Sequence, residues 1–213
     1  MKTLEKYGIK LENNNLLKEA LTHSSYAYEH GVLSYERLEF LGDAVLELVF
    51  SDYIYKTTND PEGVMSKLRS HYVCENALCE YAKSINLKDY IRMGNGLKEA
   101  NKTIIADVFE AIIAVIYLEH GIDKVKDLFN QIIVPYIEDG VDFIRDYKSL
   151  LQESVQPVKK VIEYKVVEES GPAHQKFFKV NVIIDGIVYG FGEGSTKKEA
   201  EQMAAEDAYN KKV

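Results

Sequence analysis

The chain has only two cysteines and four prolines in 213 residues. Cys74 and Cys79, with four residues between them, make neither a disulfide framework nor a zinc site. Their gap fits neighbours on one turn of a helix, and a reducing cytoplasm is the expected compartment. Long apolar runs are missing as well. The longest, Ile104 to Leu118, spans 15 residues, is interrupted by Asp107 and Glu110, and is too short to cross a bilayer. Lys2, Glu5 and Lys6 have no apolar signal core behind them, so neither export nor a membrane is expected. Glycine is ordinary at 13 residues, and 46% apolar with 28% charged residues excludes extensive disorder. The length admits one large domain or two modest ones.

Positive charge is not in excess either. The net charge is −8, shared between residues 1–145 (16 Lys and Arg against 23 Asp and Glu) and residues 146–213 (10 Lys against 11). Neither part is basic, so any contact with a polyanion must come from local lysine clusters or through bridging metal ions.

Up to about residue 145 apolar residues recur at three- and four-residue spacing. This predicts helices near 13–22, 34–58, 61–71, 73–85, 103–120 and 121–136. After Asp146 the character changes. A short helix from Tyr147 to Val155 leads to Pro157, and runs rich in β-branched and aromatic residues follow at Val161–Glu168, Phe177–Ile184 and Ile187–Glu193. Asp185-Gly186 between the last two is a strong hairpin turn. Thr196, with Glu199 three residues on, predicts a capping box at the start of a final helix reaching about Lys211. The expected fold is an all-α domain over 1–143 followed by a small α+β domain, α-β-β-β-α, over 146–213.

Chemistry concentrates in two helical segments. In Glu36 to Leu46 (ERLEFLGDAVL), Glu36, Glu39 and Asp43 stand three and four residues apart. At about 3.6 residues per turn they share one face. Their neighbours Leu38, Phe40, Leu41, Val45, Leu46 and Leu48 predict a largely buried helix. Asp107 and Glu110 repeat the pattern, the only acids in the apolar run Ile104–Leu118. Most helix acids are solvated or salt-bridged. Here basic neighbours are sparse, and clustered carboxylates in apolar surroundings need a cation to offset repulsion and desolvation. Hard oxygen donors of this kind suit Mg²⁺ or Mn²⁺ and phosphoryl transfer, with two ions roughly 4 Å apart in the two-metal arrangement.

ERLEFLGDAVL resembles the signature of the ribonuclease III family. Ala20-Leu21-Thr22-His23-Ser24-Ser25-Tyr26 and Ile104-Ile105-Ala106-Asp107-Val108-Phe109-Glu110-Ala111 resemble two further segments of it. The resemblance implies that Glu39, Asp43, Asp107 and Glu110 bind metal, with Asp43 and Glu110 catalytic and Glu36 and Glu62 as supporting acids. It implies Mg²⁺ as cofactor, with Mn²⁺ able to substitute, and no small-molecule cofactor. The reaction implied is hydrolysis of double-stranded RNA, leaving 5′-phosphate and 3′-hydroxyl ends with two-nucleotide 3′ overhangs, in ribosomal and other RNA processing. It also implies a homodimer, with Phe40 at the interface; from the residues alone Phe40 reads as an ordinary core side chain. Gly42, at a cost of about 1 kcal/mol relative to Ala in a helix, suits a place where two backbones come close. His23 reads as structural. Residues Asn95 to Thr103 form a shorter loop than bacterial members usually carry, and of its residues Lys98 and Lys102 are candidates for phosphate contact.

The tail resembles the double-stranded RNA-binding domain, on the stretches Asp146–Glu153, Gly171–Phe178 and Gly194–Ala200. Lys197 and Lys198 lie in the first helical turn, where cations oppose the helix dipole, so their placement suits phosphate contact. The resemblance adds Gln152, Glu153, Pro172, His174 and Lys176 as RNA contacts, reading A-form shape across the minor grooves. Glu201 stands where many such domains have a third basic residue. The alternative is a non-catalytic double-stranded-RNA-binding protein on the same fold, which loss of any of the four metal acids would favour.

Overall fold

The computed structural model describes residues 2–143, 147–158, 160–172 and 176–211. It divides into two compact units, Met1–Ile144 and Arg145–Val213.

The first unit is helical: α1 (Lys2–Glu5), α2 (Asn14–Ala20), α3 (Ser24–His30), α4 (Glu36–Thr57), α5 (Glu62–Tyr72), α6 (Glu75–Ser84), α7 (Lys102–His120), α8 (Ile122–Ile132) and α9 (Val134–Glu138). Its centre is α7, whose residues Ala111 to Ile116 are all buried. The helix starts where Asn101 accepts the Ile104 amide and ends at Gly121, whose positive φ of 79° suits glycine. Across it runs α4. Gly42 is the reason the two can touch, because a Cβ there would lie 1.8 Å from the Glu110 carbonyl oxygen. A glycine that costs helix propensity is therefore spent on a backbone contact between the two acid-bearing helices.

Several sequence expectations need correction. The segment 121–136 is two helices, because Pro135 lacks the amide that would continue the first one. Residues 24–30 form a helix that apolar periodicity did not mark; it is built by a cap, with His23 Nδ1 accepting from the Ser25 amide. And α4 is not buried all round. Val45, Val49 and Phe50 face the core, whereas Phe40 (82% exposed), Leu48 (60%) and Tyr55 (75%) form an apolar stripe facing outward. Cys74 and Cys79 are free thiols; Cys74 is the residue before α6 and Cys79 lies inside it, so they do not share a turn.

The second unit runs α10 (Tyr147–Val155), β1 (Ile162–Ser170), β2 (Phe177–Ile184), β3 (Ile187–Gly194) and α11 (Lys197–Asn210). The strands form an antiparallel sheet in the order β1-β2-β3. Phe178, Val180, Val182 and Ile184 alternate onto one face and pack with Leu151, Val155, Ala200, Ala204 and Ala208. The alanines and Gly190 and Gly192 let α11 lie close on β3, since a Cβ at Gly192 would sit 2.1 Å from the Ala200 carbonyl oxygen. Asp185 and Gly186 both take positive φ, 49° and 82°, as the hairpin turn requires. The cap of α11 differs from the expected box. Thr196 accepts the Glu199 amide, but the Glu199 carboxylate takes the amide and hydroxyl of Ser195, one residue earlier.

Candidate active site

Helix α4 presents Glu36, Glu39 and Asp43, and α7 presents Asp107 and Glu110 at the contact that Gly42 permits. Glu39, Asp107 and Glu110 are half-buried; Glu36 and Asp43 are exposed. Burial pushes the Glu110 carboxyl from 4.5 up to about 8, and the charges of Asp43, Glu39, Asp107 and Glu47 push the same way. Glu39 is raised by burial and then by Asp107, Glu36 and Asp43. Burial raises Asp107 too, while the hydrogen bond from Tyr35 and the nearness of His23 pull it back down. The charges of Asp43, Glu39 and Asp107 thus all reach Glu110, beside the point where α4 touches α7.

Tyr35 is a participant that spacing did not reveal. Its hydroxyl donates to Asp107 Oδ2 at 3.0 Å. Burial, followed by Asp107, raises the phenol well above its ordinary value, so it stays a donor. Glu47 was also missed, although the sequence held the signal: it extends the row Glu36, Glu39, Asp43 by one more turn. Glu62 is placed elsewhere. It accepts from Ser66 Oγ at 2.8 Å and lines a cavity of about 530 Å³ with Leu48, Ile54, Tyr55, Met65 and Arg69. Glu36 accepts from Ser34 Oγ and stays at the rim.

The donor set fits a hard divalent cation: carboxylates only, with Glu39, Asp107 and Glu110 half-buried and their charged forms disfavoured. Among the described residues no lysine or arginine forms an ion pair with Glu39, Asp43, Asp107 or Glu110. Nor, among those residues, do three or more His, Cys, Asp or Glu side chains already form a ready cluster for an ion. An ion would have to draw the side chains inward against their repulsion. Asp107 and Glu110 stand on a helix whose backbone lies directly against α4 at Gly42.

In the second unit Lys197 and Lys198 are exposed in the first turn of α11, and Gln152 and Glu153 are exposed on α10. Pro172 is exposed; His174 lies outside the described residues. Lys176 forms an ion pair with Glu169, so it is held within its own domain. Glu201 is paired with Lys148 at 2.6 Å, which removes its charge from opposition to Lys197 and Lys198. In the first unit, Lys102 donates to Asn76 at 3.0 Å, and the loop after Gly94 is tied back by the carboxylate of Glu29 to the amide and side chain of Asn95.

Residues 13–137 match the Ribonuclease-III-like family, and residues 147–212 match the double-stranded RNA binding motif. The chain belongs to the ribonuclease III family. A ribonuclease 3 of Listeria monocytogenes is 47% identical over 219 residues, covering 98% of this chain and 96% of the relative. That of onion yellows phytoplasma is 46% identical over 209 residues, covering 96% and 87%. Among solved structures, a nuclease domain of ribonuclease III from Campylobacter jejuni, described for flexibility in the region involved in dimer formation, superposes with a TM-score of 0.58. It is 37% identical and covers 63% of this chain and 95% of its own. Membership in the ribonuclease III family carries the enzyme class with it, an endoribonuclease hydrolase specific for double-stranded RNA. Among the described residues no helix is long and apolar enough to cross a membrane.

Proposed function

We propose that Glu39, Asp43, Asp107 and Glu110 together bind Mg²⁺, or Mn²⁺ in its place, and that this site hydrolyses the phosphodiester in double-stranded RNA by two-metal-type chemistry. The observation that carries this is Glu110: a half-buried carboxyl raised to about 8 by burial and by Asp43, Glu39 and Asp107, with no cationic side chain among the described residues paired with it. Bound ions would activate the attacking water and neutralise charge developing on the phosphate. The chain's own acids orient those ions. Glu36 hydrogen-bonds at the rim and supports; Glu62 supports only if another chain brings it to the site, since its own cavity is separate.

That other chain is a second copy in this reading. The outward stripe Phe40, Leu48 and Tyr55 on α4 and the cavity beside it, lined by Leu48, Ile54, Tyr55 and Met65, form a self-complementary surface for a symmetric dimer. Phe40 of the partner subunit would fill that cavity. The α+β unit holds the duplex, with Lys197 and Lys198 on phosphate and Gln152, Glu153, Pro172, His174 and Lys176 as its further RNA contacts. The products are 5′-phosphate and 3′-hydroxyl ends with two-nucleotide 3′ overhangs, and the cellular role is processing of ribosomal and other RNA in the cytoplasm. The test is digestion of a long duplex RNA with end analysis of the fragments. The expected ends are those just given, formed with Mg²⁺ and not in chelator; 3′-phosphate ends or cutting in chelator overturn the assignment.

A further inference from the structure

The geometry points to Tyr35 as the residue that sets Asp107 for the metal, its hydroxyl holding Oδ2 so that Oδ1 is left to face an incoming cation. This rests on the reading of Asp107 as a metal ligand and adds a positioning residue to it. Tyr35 is 4% exposed, and its hydroxyl reaches Asp107 Oδ2 at 3.0 Å from 72 positions away in sequence. A carboxylate free to rotate offers either oxygen to a cation. One held by a fixed donor offers a single oxygen in a single orientation.

The donor itself is firmly placed. The Tyr35 amide donates to the Thr22 carbonyl at 2.9 Å. Thr22 is fixed in turn, its hydroxyl donating to the Lys18 carbonyl at 2.5 Å and its backbone bridging to Arg92. The Tyr35 ring leans on His23, with centroids 5.8 Å apart. His23 is locked by its own cap to the Ser25 amide at 3.1 Å. On its other side the Tyr35 carbonyl accepts the amides of Leu38 and Glu39, which makes Tyr35 the first link of α4. One residue therefore starts the helix bearing Glu39 and Asp43 and grips the acid on α7. The Gly42–Glu110 contact and the Tyr35–Asp107 hydrogen bond thus both tie the start of α4 to the acid-bearing part of α7.

The test is Tyr35→Phe in the full-length protein, which keeps the ring packing and removes only the donor, run beside Asp107→Asn. Two readouts are needed: the Mg²⁺ concentration for half-maximal cleavage, and the rise in unfolding midpoint produced by Mn²⁺ without RNA. Tyr35→Phe is expected to raise the half-saturating Mg²⁺ on the order of tenfold, to shrink the Mn²⁺-induced rise, and to recover its rate at excess metal. Duplex binding in chelator is expected to stay as in the wild type. Unchanged half-saturation and an unchanged Mn²⁺ effect, with Asp107→Asn defective in both, overturn the role of Tyr35 alone. If Asp107→Asn is also unaffected, the metal role of Asp107 falls and the proposal with it. A loss in Tyr35→Phe that excess metal does not restore likewise overturns positioning, since it would mark a general structural defect.

Discussion

Gly42→Ala is the substitution whose consequence the structure states most sharply. The new methyl carbon would lie 1.8 Å from the Glu110 carbonyl oxygen and 2.5 Å from its carbon, both backbone atoms, where real Cβ contacts essentially never fall under 3.0 Å. Neither atom can rotate away, so α4 and α7 must separate by more than 1 Å at the point where the acids meet. Alanine returns about 1 kcal/mol of helix propensity. Overpacking costs about 1–3 kcal/mol or more, and the long buried contact between these helices places this case at the upper end. The net expectation is a loss of about 2 kcal/mol, or roughly 4–8 °C in the nuclease unit's unfolding midpoint. Activity should fall further than stability. Metal sites tolerate ligand displacements of about 0.2 Å, and misplacing reacting groups by about 1 Å costs on the order of a hundredfold. The assay is calorimetric unfolding in chelator beside duplex cleavage at a temperature where the variant remains folded. Wild-type stability together with wild-type cleavage would refute the idea that Gly42 exists to let the two helices touch.

Further expectations concern charge, assembly and RNA. Because the Glu110 carboxyl is raised from 4.5 to about 8, the metal-free protein should lose stability as pH rises through about 8. The sign follows from linkage: below about 4.5 folded and unfolded states are both protonated, and between the two values only the folded state keeps the proton. Glu110→Gln should flatten that pH dependence and be the more stable protein at pH 8 in chelator; denaturant titrations at several pH values decide it. Phe40→Asp puts a charge into the exposed apolar stripe of α4 and should yield monomers by sedimentation at concentrations where the parent is dimeric; a persisting dimer contradicts the assigned face. Replacing Lys197 and Lys198 by Ala together should lower the slope of log affinity against log salt for duplex RNA by about 2, and an unchanged slope removes them from the phosphate contacts.

Much of this was legible in the sequence, for physical reasons that differ by element. The acid rows showed because ionised groups in apolar helical surroundings are costly, and a costly pattern has few uses. The hairpin showed because Asp185-Gly186 is among the few pairs at ease with two positive φ values. Helix α3 did not show, because it is held by the His23 cap and by the bridge between Thr22 and Arg92 rather than by an apolar face. The outward stripe of α4 did not show, because Phe40, Leu48 and Tyr55 look like core residues until the core is seen on the other side. Tyr35 escaped because a hydrogen bond spanning 72 positions leaves no mark on local spacing. Lys176 and Glu201 showed their charge, but not that partners within the domain already hold it.

The most direct measurement is cleavage of a long duplex RNA in Mg²⁺ by the wild-type chain and by Glu110→Gln, with duplex binding recorded on the same preparations. Cutting should disappear in the Gln variant while binding survives, because the substitution removes an oxygen from the proposed metal site in the first unit and leaves the proposed RNA-holding surface of the second untouched. A purified Glu110→Gln protein that cuts at the wild-type rate would show that the acids of α4 and α7 are not the site of the chemistry.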